Sequence, residues 1–317
     1  MSKFRDDWPL WLAALLGVGS LAFTKKYGIP NYYLGPIIGK RPRTVLSLYT
    51  DPQAPGWENT LDKYDALSMR LLGPQATPDK SAYYALADQA GIARHGWGYQ
   101  FLNSKKQADR ELGRLEVAIP MYGIQMYWAN PEKEFNAQPN AIELAEYFVA
   151  QFRERFPGVG LGWNGFGGLS GTAAANWGIG KGWDSFCKFV NMWDVWAPMT
   201  YATCPATVEG KIRNSADAAL KCGMAGKYGP YVRVGEDWRS EKAKGSCLTW
   251  GYAYGPGGLI ALNEEYKFPW VLFYHGAIGK DSTLVQGNQT HKNNPSLPDL
   301  IDMLHGKKTP DDVAGIV

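Results

Sequence analysis

Four acidic residues stand where apolar runs give out, and that placement is the first chemical signal in the chain. The run Thr44-Val-Leu-Ser-Leu-Tyr-Thr50 ends at Asp51 and Pro52. Tyr122 to Trp128 runs out into Ala129-Asn130-Pro131-Glu132, and Tyr231-Val-Arg-Val-Gly235 is followed by Glu236 and Asp237. Two further runs leave an amide or rings in the same place: Val159 to Trp163 precedes Asn164, and Trp193 to Tyr201 carries Trp196 and ends on Tyr201. Cleaving a glycosidic bond needs this mixture. One carboxyl protonates the leaving oxygen, a second group stabilises or attacks the oxocarbenium centre, and rings stack on sugar faces. Any single acid in such a position also suits the cap of a following helix, so the signal lies in the convergence. The candidate acids are Glu132, Asp51, Glu236 and Asp237; the candidate ligand contacts are Trp128, Asn130, Trp163, Asn164, Trp196 and Tyr201.

Convergence requires a scaffold that brings strand ends to one face. The apolar runs are continuous rather than alternating, as expected of parallel strands covered on both faces. Helical stretches lie between them. Thr77-Pro78-Asp79 opens one that passes Tyr84 and Ala87 and stops at Gly91, and Ser104 to Leu115 is helix-friendly. After Pro139, Leu144, Phe148 and Phe152 recur every fourth residue, with Ala145 and Val149 alongside, up to Pro157-Gly158. Further helices are expected near Trp183–Val190 and Val208–Lys221, and a last strand at Pro269–Tyr274 before His275. The pattern predicts an α/β (β/α)8 TIM-like barrel over residues 44–287, with chemistry at the carboxyl ends of its strands. A seventh strand is expected either in Gly257–Leu262 or near Leu248–Tyr252. A doubly wound open sheet is the competing architecture. It would usually carry a Gly-rich nucleotide loop after a strand, and Gly162-Trp-Asn-Gly-Phe-Gly-Gly168 lacks that order.

Two ends flank the barrel. Residues 1–43 hold an apolar stretch from Trp8 to Phe23 behind Asp7 and Pro9. As a helix it would span about 24 Å, against about 30 Å of hydrocarbon in a bilayer. Three roles fit it: a short membrane-contacting or signal-like helix, a partner-binding helix in a protein assembly, or a helix buried against the barrel. Residues 288–317 read as a polar C-terminal arm or docking segment with a short helix at Leu297–Leu304.

The charge balance narrows the partners. Lys and Arg number 33 against 30 Asp and Glu, a net charge of +3, and the basic residues form only short pairs such as Lys105-Lys106. No nucleic-acid partner is expected, since a phosphate-tracking surface needs a basic face. Cys187, Cys204, Cys222 and Cys247 are far apart, as are His95, His275, His291 and His305. No metal-ligand spacing results and no cofactor is expected. The cysteines admit either buried thiols or two disulfides. The 13 Trp, 18 Tyr and 12 Phe in a chain with 37 Gly suit aromatic-lined sites or bulky packing.

Three segments together resemble a known family. Gly123-Ile-Gln-Met-Tyr-Trp-Ala-Asn-Pro-Glu132, Pro157-Gly-Val-Gly-Leu-Gly-Trp163 and Trp193-Asp-Val-Trp-Ala-Pro-Met-Thr-Tyr201 are similar to strand ends in the TIM-barrel glycoside hydrolases of the phage-type muramidase sort and their phage-encoded relatives. The resemblance implies that Asp51 is the acid after the first strand and that Asn130-Pro131-Glu132 stands for a D-x-E motif. Pro198-Met199-Thr200-Tyr201 then stands for a P-Q-x-Y-like strand end. It further implies Glu132 as general acid, Asp51 with Glu236 or Asp237 in support, and a peptidoglycan-type glycan as substrate. The sequence departs from the pattern at Asn130, because an amide cannot supply the second carboxylate charge. Two functions therefore stay open: a wall-glycan hydrolase, or a catalytically inactive glycan-binding or structural component of a virion or envelope-associated assembly.

Overall fold

The computed structural model describes residues 41–48, 57–72, 79–100, 102–131, 140–165, 182–200, 205–234, 258–275, 297–309 and 312. The apolar segment 8–23 and the acids at 51, 132, 236 and 237 lie outside them, as does Tyr201. Among the described residues, no helix is long and apolar enough to cross a membrane.

Eight parallel strands form the sheet: β1 Arg43–Leu48, β2 Ala66–Leu72, β3 Ala93–Gln100, β4 Met126–Pro131, β5 Gly160–Trp163, β6 Val195–Trp196, β7 Tyr231–Val234 and β8 Trp270–His275. Their order is β6-β5-β4-β3-β2-β1-β8-β7. The two ends of that order meet. Parallel bridges join Trp196 to Tyr228 and Met199 to Tyr231, and the Thr200 N–H donates to the Tyr231 carbonyl at 2.9 Å. The sheet is thus a barrel with neighbours in chain order, as the strand–helix repeat predicts.

Among the described residues, seven α-helices form the outer layer: α1 Ser81–Gln89, α2 Lys105–Tyr122, α3 Ala141–Arg155, α4 Trp183–Asn191, α5 Pro205–Lys221, α6 Leu259–Tyr266 and α7 Leu297–Leu304. A 3-10 helix, Trp57–Lys63, takes the crossover between β1 and β2. In α1 the Asp79 carboxylate accepts from the Ser81 N–H at 2.9 Å, and Gly91 turns the chain with φ +70°. Ser104 caps α2 by accepting from the Gln107 N–H. The residues expected on one face of α3, Leu144, Ala145, Phe148, Val149 and Phe152, are all buried.

Strand alternation divides the core into two. Leu46, Leu67, Met69, Tyr127, Leu161, Val232 and Phe273 pack outward against the helices. Val45, Ala66, Trp97, Met126, Trp128, Tyr231 and Leu272 fill the barrel. Most strands therefore carry apolar side chains on both faces, which weakens the polar alternation in the sequence; β2 departs from this with Ser68 and Arg70 at inward positions.

Three expected boundaries move. The strand missing from the sequence reading is β2, far from the two expected places: Gly257–Leu262 overlaps helix α6, and 248–252 lie outside the described residues. The run expected as a strand from Tyr122 begins at Met126, because α2 continues to Tyr122 and ends at Gly123 in the left-handed region. Lastly, the short helix expected in the C-terminal arm is α7, whose Leu297, Leu300 and Ile301 have no exposure and complete the outer layer between the 3-10 helix and α6.

Candidate functional site

The inward positions of β3 and β4 lay the floor of the carboxyl half of the barrel. Trp97 and Trp128 are paired across the two strands and neither ring has exposed surface. Each indole N–H is held: Trp97 donates to the Leu48 carbonyl at 3.0 Å, and Trp128 donates to His95 Nδ1 at 3.2 Å. Because His95 Nδ1 accepts, its proton sits on Nε2 in the neutral ring. Burial, followed by the nearby charge of Arg43, pushes the His95 pKa down to about 3. The imidazole therefore stays a neutral acceptor across ordinary pH.

Around this floor stand polar groups from several strands. The Tyr231 hydroxyl donates to Ser47 Oγ at 2.9 Å, and Tyr274 meets Trp97 edge-on at 6.4 Å. Arg70 of β2 is 4% exposed; its Nε donates to the Leu72 carbonyl and its guanidinium lies 5.8 Å from the Trp97 ring centre, close enough for a cation–π contact. Asn130 and Asn164 close the wall beside Trp128. They follow the paired residues Ala129 and Trp163 on β4 and β5, and the Asn164 N–H donates to the Ala129 carbonyl at 2.8 Å. By alternation with the inward Trp128, Asn130 faces the interior, as does Asn164 one step beyond the outward Trp163.

The structure thus brings Trp128, Asn130 and Asn164 together inside the barrel. It separates Trp163 and Trp196 from them, and these two expected rim rings are corrected to the helix-facing side. Trp163 stacks on Trp196 at 6.4 Å and meets Phe189 edge-on; Trp196 packs on Phe186 and Tyr228. Both have 0% exposure, so neither presents a face to a sugar. Glu132, Asp51, Glu236, Asp237 and Tyr201 lie outside the described residues. Among the described residues, the inward strand positions carry no carboxylate.

Sequence reasoning missed His95, Trp97, Arg70, Ser47, Tyr231 and Tyr274 as lining groups. The signal for His95 and Trp97 was their shared parity on one strand. Arg70 had no signal, since its strand was unrecognised.

The described lining has aromatic rings at depth and amides on the wall, and strands β1, β4 and β7 lead in sequence into the acid-bearing segments. No protein-family model matches the chain, and no curated protein sequence matches it. Solved structures do. A chitinase from Chromobacterium violaceum is similar at a TM-score of 0.57 and 10% identity, over 84% of this chain and 100% of that one. The spore cortex-lytic enzyme SleL from Bacillus megaterium is similar at a TM-score of 0.55 and 10% identity, over 74% of this chain and 71% of that one. The PgaB glycoside hydrolase domain from Bordetella bronchiseptica is similar at a TM-score of 0.51 and 9% identity, over 74% and 94%. What the chain shares with these proteins at such identities is the fold: an eight-stranded parallel α/β barrel of the kind on which glycoside hydrolases are built.

Proposed function

We propose that this barrel acts on, or binds, a cell-wall glycan of the peptidoglycan type, with Glu132 as the general acid. The observation that supports this most is the meeting of Trp128, Asn130 and Asn164 at the carboxyl end of the barrel interior, because Glu132 is the next residue in sequence after the end of β4. Active sites of such barrels are built at that face. Asp51, Glu236 and Asp237 follow β1 and β7 in sequence and are the supporting acids in this reading. The named relatives in fold include a chitinase and a spore cortex-lytic enzyme, which favours a wall or chitin-type glycan; the muramidase subtype rests on the sequence resemblance alone.

The second reading is a barrel that binds glycan without cleaving it, as part of a virion or envelope assembly held by residues 8–23. It is favoured by Asn130, an amide where the D-x-E pattern has a carboxylate. Release of reducing sugar from purified peptidoglycan by wild type and Glu132→Gln separates the two. Signal from wild type that Glu132→Gln loses by 100-fold or more, the scale of a lost proton donor, supports catalysis. Equal background from both, with wild type still pelleting with the glycan, leaves the binding reading. Deleting residues 1–26 tests the anchoring role, which unchanged membrane or partner association would sink.

A further inference from the structure

Two amide side chains stand side by side in the barrel wall with their hydrogen-bonding groups unmet. Asn130 is 2% exposed and Asn164 1%. Asn130 Oδ1, Asn164 Oδ1 and Asn164 Nδ2 are buried and have no hydrogen-bond partner. Buried amide atoms left this way cost roughly 1–3 kcal/mol each, and a fold tolerates few of them without a reason. Among the described residues neither caps a helix, and both lie one step past the paired backbone of Ala129 and Trp163.

We infer that Asn130 and Asn164 form a subsite that reads an uncharged edge of a sugar, one offering two donors and one acceptor. The inference rests on the glycan reading above and sharpens it. The unmet set is two acceptors and one donor, so its complement carries two donors and one acceptor. Neighbouring ring hydroxyls supply that set, and so does an amide N–H beside a hydroxyl. A carboxylate does not, because it brings acceptors only and would leave both Oδ1 atoms bare. The surroundings agree. Trp128 is the inward residue before Asn130 on β4, and one step past the β5–β6 register stands the small, inward Ala197. The pair therefore selects a neutral glycan segment over a uronate-rich one.

Calorimetric titration of the full chain with three hexasaccharides tests this: N-acetylglucosamine hexamer, cellohexaose and galacturonate hexamer. Wild type is expected to bind one or both neutral oligomers at least tenfold more tightly than the acidic one, and which of the two binds separates amide from hydroxyl as the source. Asn164→Leu is expected to weaken neutral binding by about five- to hundredfold. Asn164→Asp supplies a readout that packing alone would not move. Its protonated acid is both donor and acceptor, whereas its carboxylate is acceptor-only. Binding by this variant should therefore fall as pH rises, while wild-type binding stays flat. If Asn164→Leu does not fold, the pH profile of Asn164→Asp decides. Neutral binding that neither variant alters, or preference for the acidic oligomer, overturns the subsite and leaves the glycan reading standing. Failure of wild type to bind any of the three overturns both.

Discussion

The ring of Trp128 occupies the space that a side chain at Gly162 would need. A Cβ added at Gly162 would meet Trp128 Cε3 at 2.3 Å and Cζ3 at 2.4 Å, and Met126 Cε at 2.8 Å. Gly162 sits on β5 in register with Trp128 on β4, so the glycine lets the indole lie flat across the neighbouring strand while its N–H reaches His95. The floor of the candidate site is set by this pair.

Gly162→Ala is expected to push Trp128 off its hydrogen bond with His95. The clash is with a wedged ring rather than a flexible tip, and overpacking of this kind costs about 1–3 kcal/mol. Thermal unfolding should record that loss, and tryptophan fluorescence should shift as the Trp128 indole loses its acceptor. An unchanged melting temperature together with an unchanged spectrum would mean that the floor is not held this way.

Acid should weaken the fold before its carboxylates titrate. His95 is pushed down to about 3 by burial and then by Arg43. His305 is pushed down to about 4 by burial and then by Arg41, against the opposing pull of Asp65. Both pKa values are depressed, so between about pH 4 and 6.5 the unfolded chain binds protons that the folded chain refuses. Stability therefore falls as pH drops below about 6.5, with a limiting slope of about 1.4 kcal/mol per pH unit for each histidine. Denaturant titrations at several pH values measure this. His95→Asn, which keeps an acceptor for Trp128, should roughly halve the slope; an unaltered slope would show that His95 titrates normally.

Reduction should destabilise the α4–α5 corner. Cys187 on α4 and Cys222 just past α5 are joined across 35 residues of chain, and the Asn191 amide ties both ends by donating to the Cys187 and Cys222 carbonyls. Closing a loop of that length removes unfolded-state entropy equivalent to about 4 kcal/mol. Melting of the Cys187→Ser, Cys222→Ser double variant, compared with reduced wild type, checks it. Both should fall by a similar amount, and no fall in either would deny the crosslink.

The barrel was legible in the sequence because most of its strands announce themselves as apolar runs and α3 by the fourfold spacing of Leu144, Phe148 and Phe152. Strand β2 was not legible. Ala66 to Leu72 carries Ser68 and Arg70 among its apolar residues, and among the described residues before it stands a 3-10 helix, so no clean apolar run marks it. The lining of the candidate site was half legible for a related reason. Strand ends located Asn130 and Asn164, but a strand apolar on both faces does not say which side a tryptophan takes. Trp128 and Trp163 differ by one step of parity, and that step puts one ring inside the barrel and the other among the helices.

The barrel should need α7. Leu297, Leu300, Ile301 and Leu304 are each at most 4% exposed, and α7 packs beside the 3-10 helix of the first crossover. Polar links fasten the same helix. Lys63 Nζ reaches the buried Asp302 at 2.6 Å, and past the helix end His305 Nδ1 accepts from Arg41 at 2.7 Å while Nε2 lies 3.3 Å from Thr44 Oγ1. These contacts tie the last helix to the first strand, so the barrel is closed by its end as well as by its sheet. Ile301→Ala should cost about 2–5 kcal/mol, the range for an aliphatic truncation in a core. Lys63→Met should add a separate loss by removing the 2.6 Å partner of the buried Asp302 carboxylate, with Lys307 3.9 Å away. A chain ending at residue 296 should lose its cooperative melt by circular dichroism; a wild-type melt from that chain would make α7 a dispensable arm.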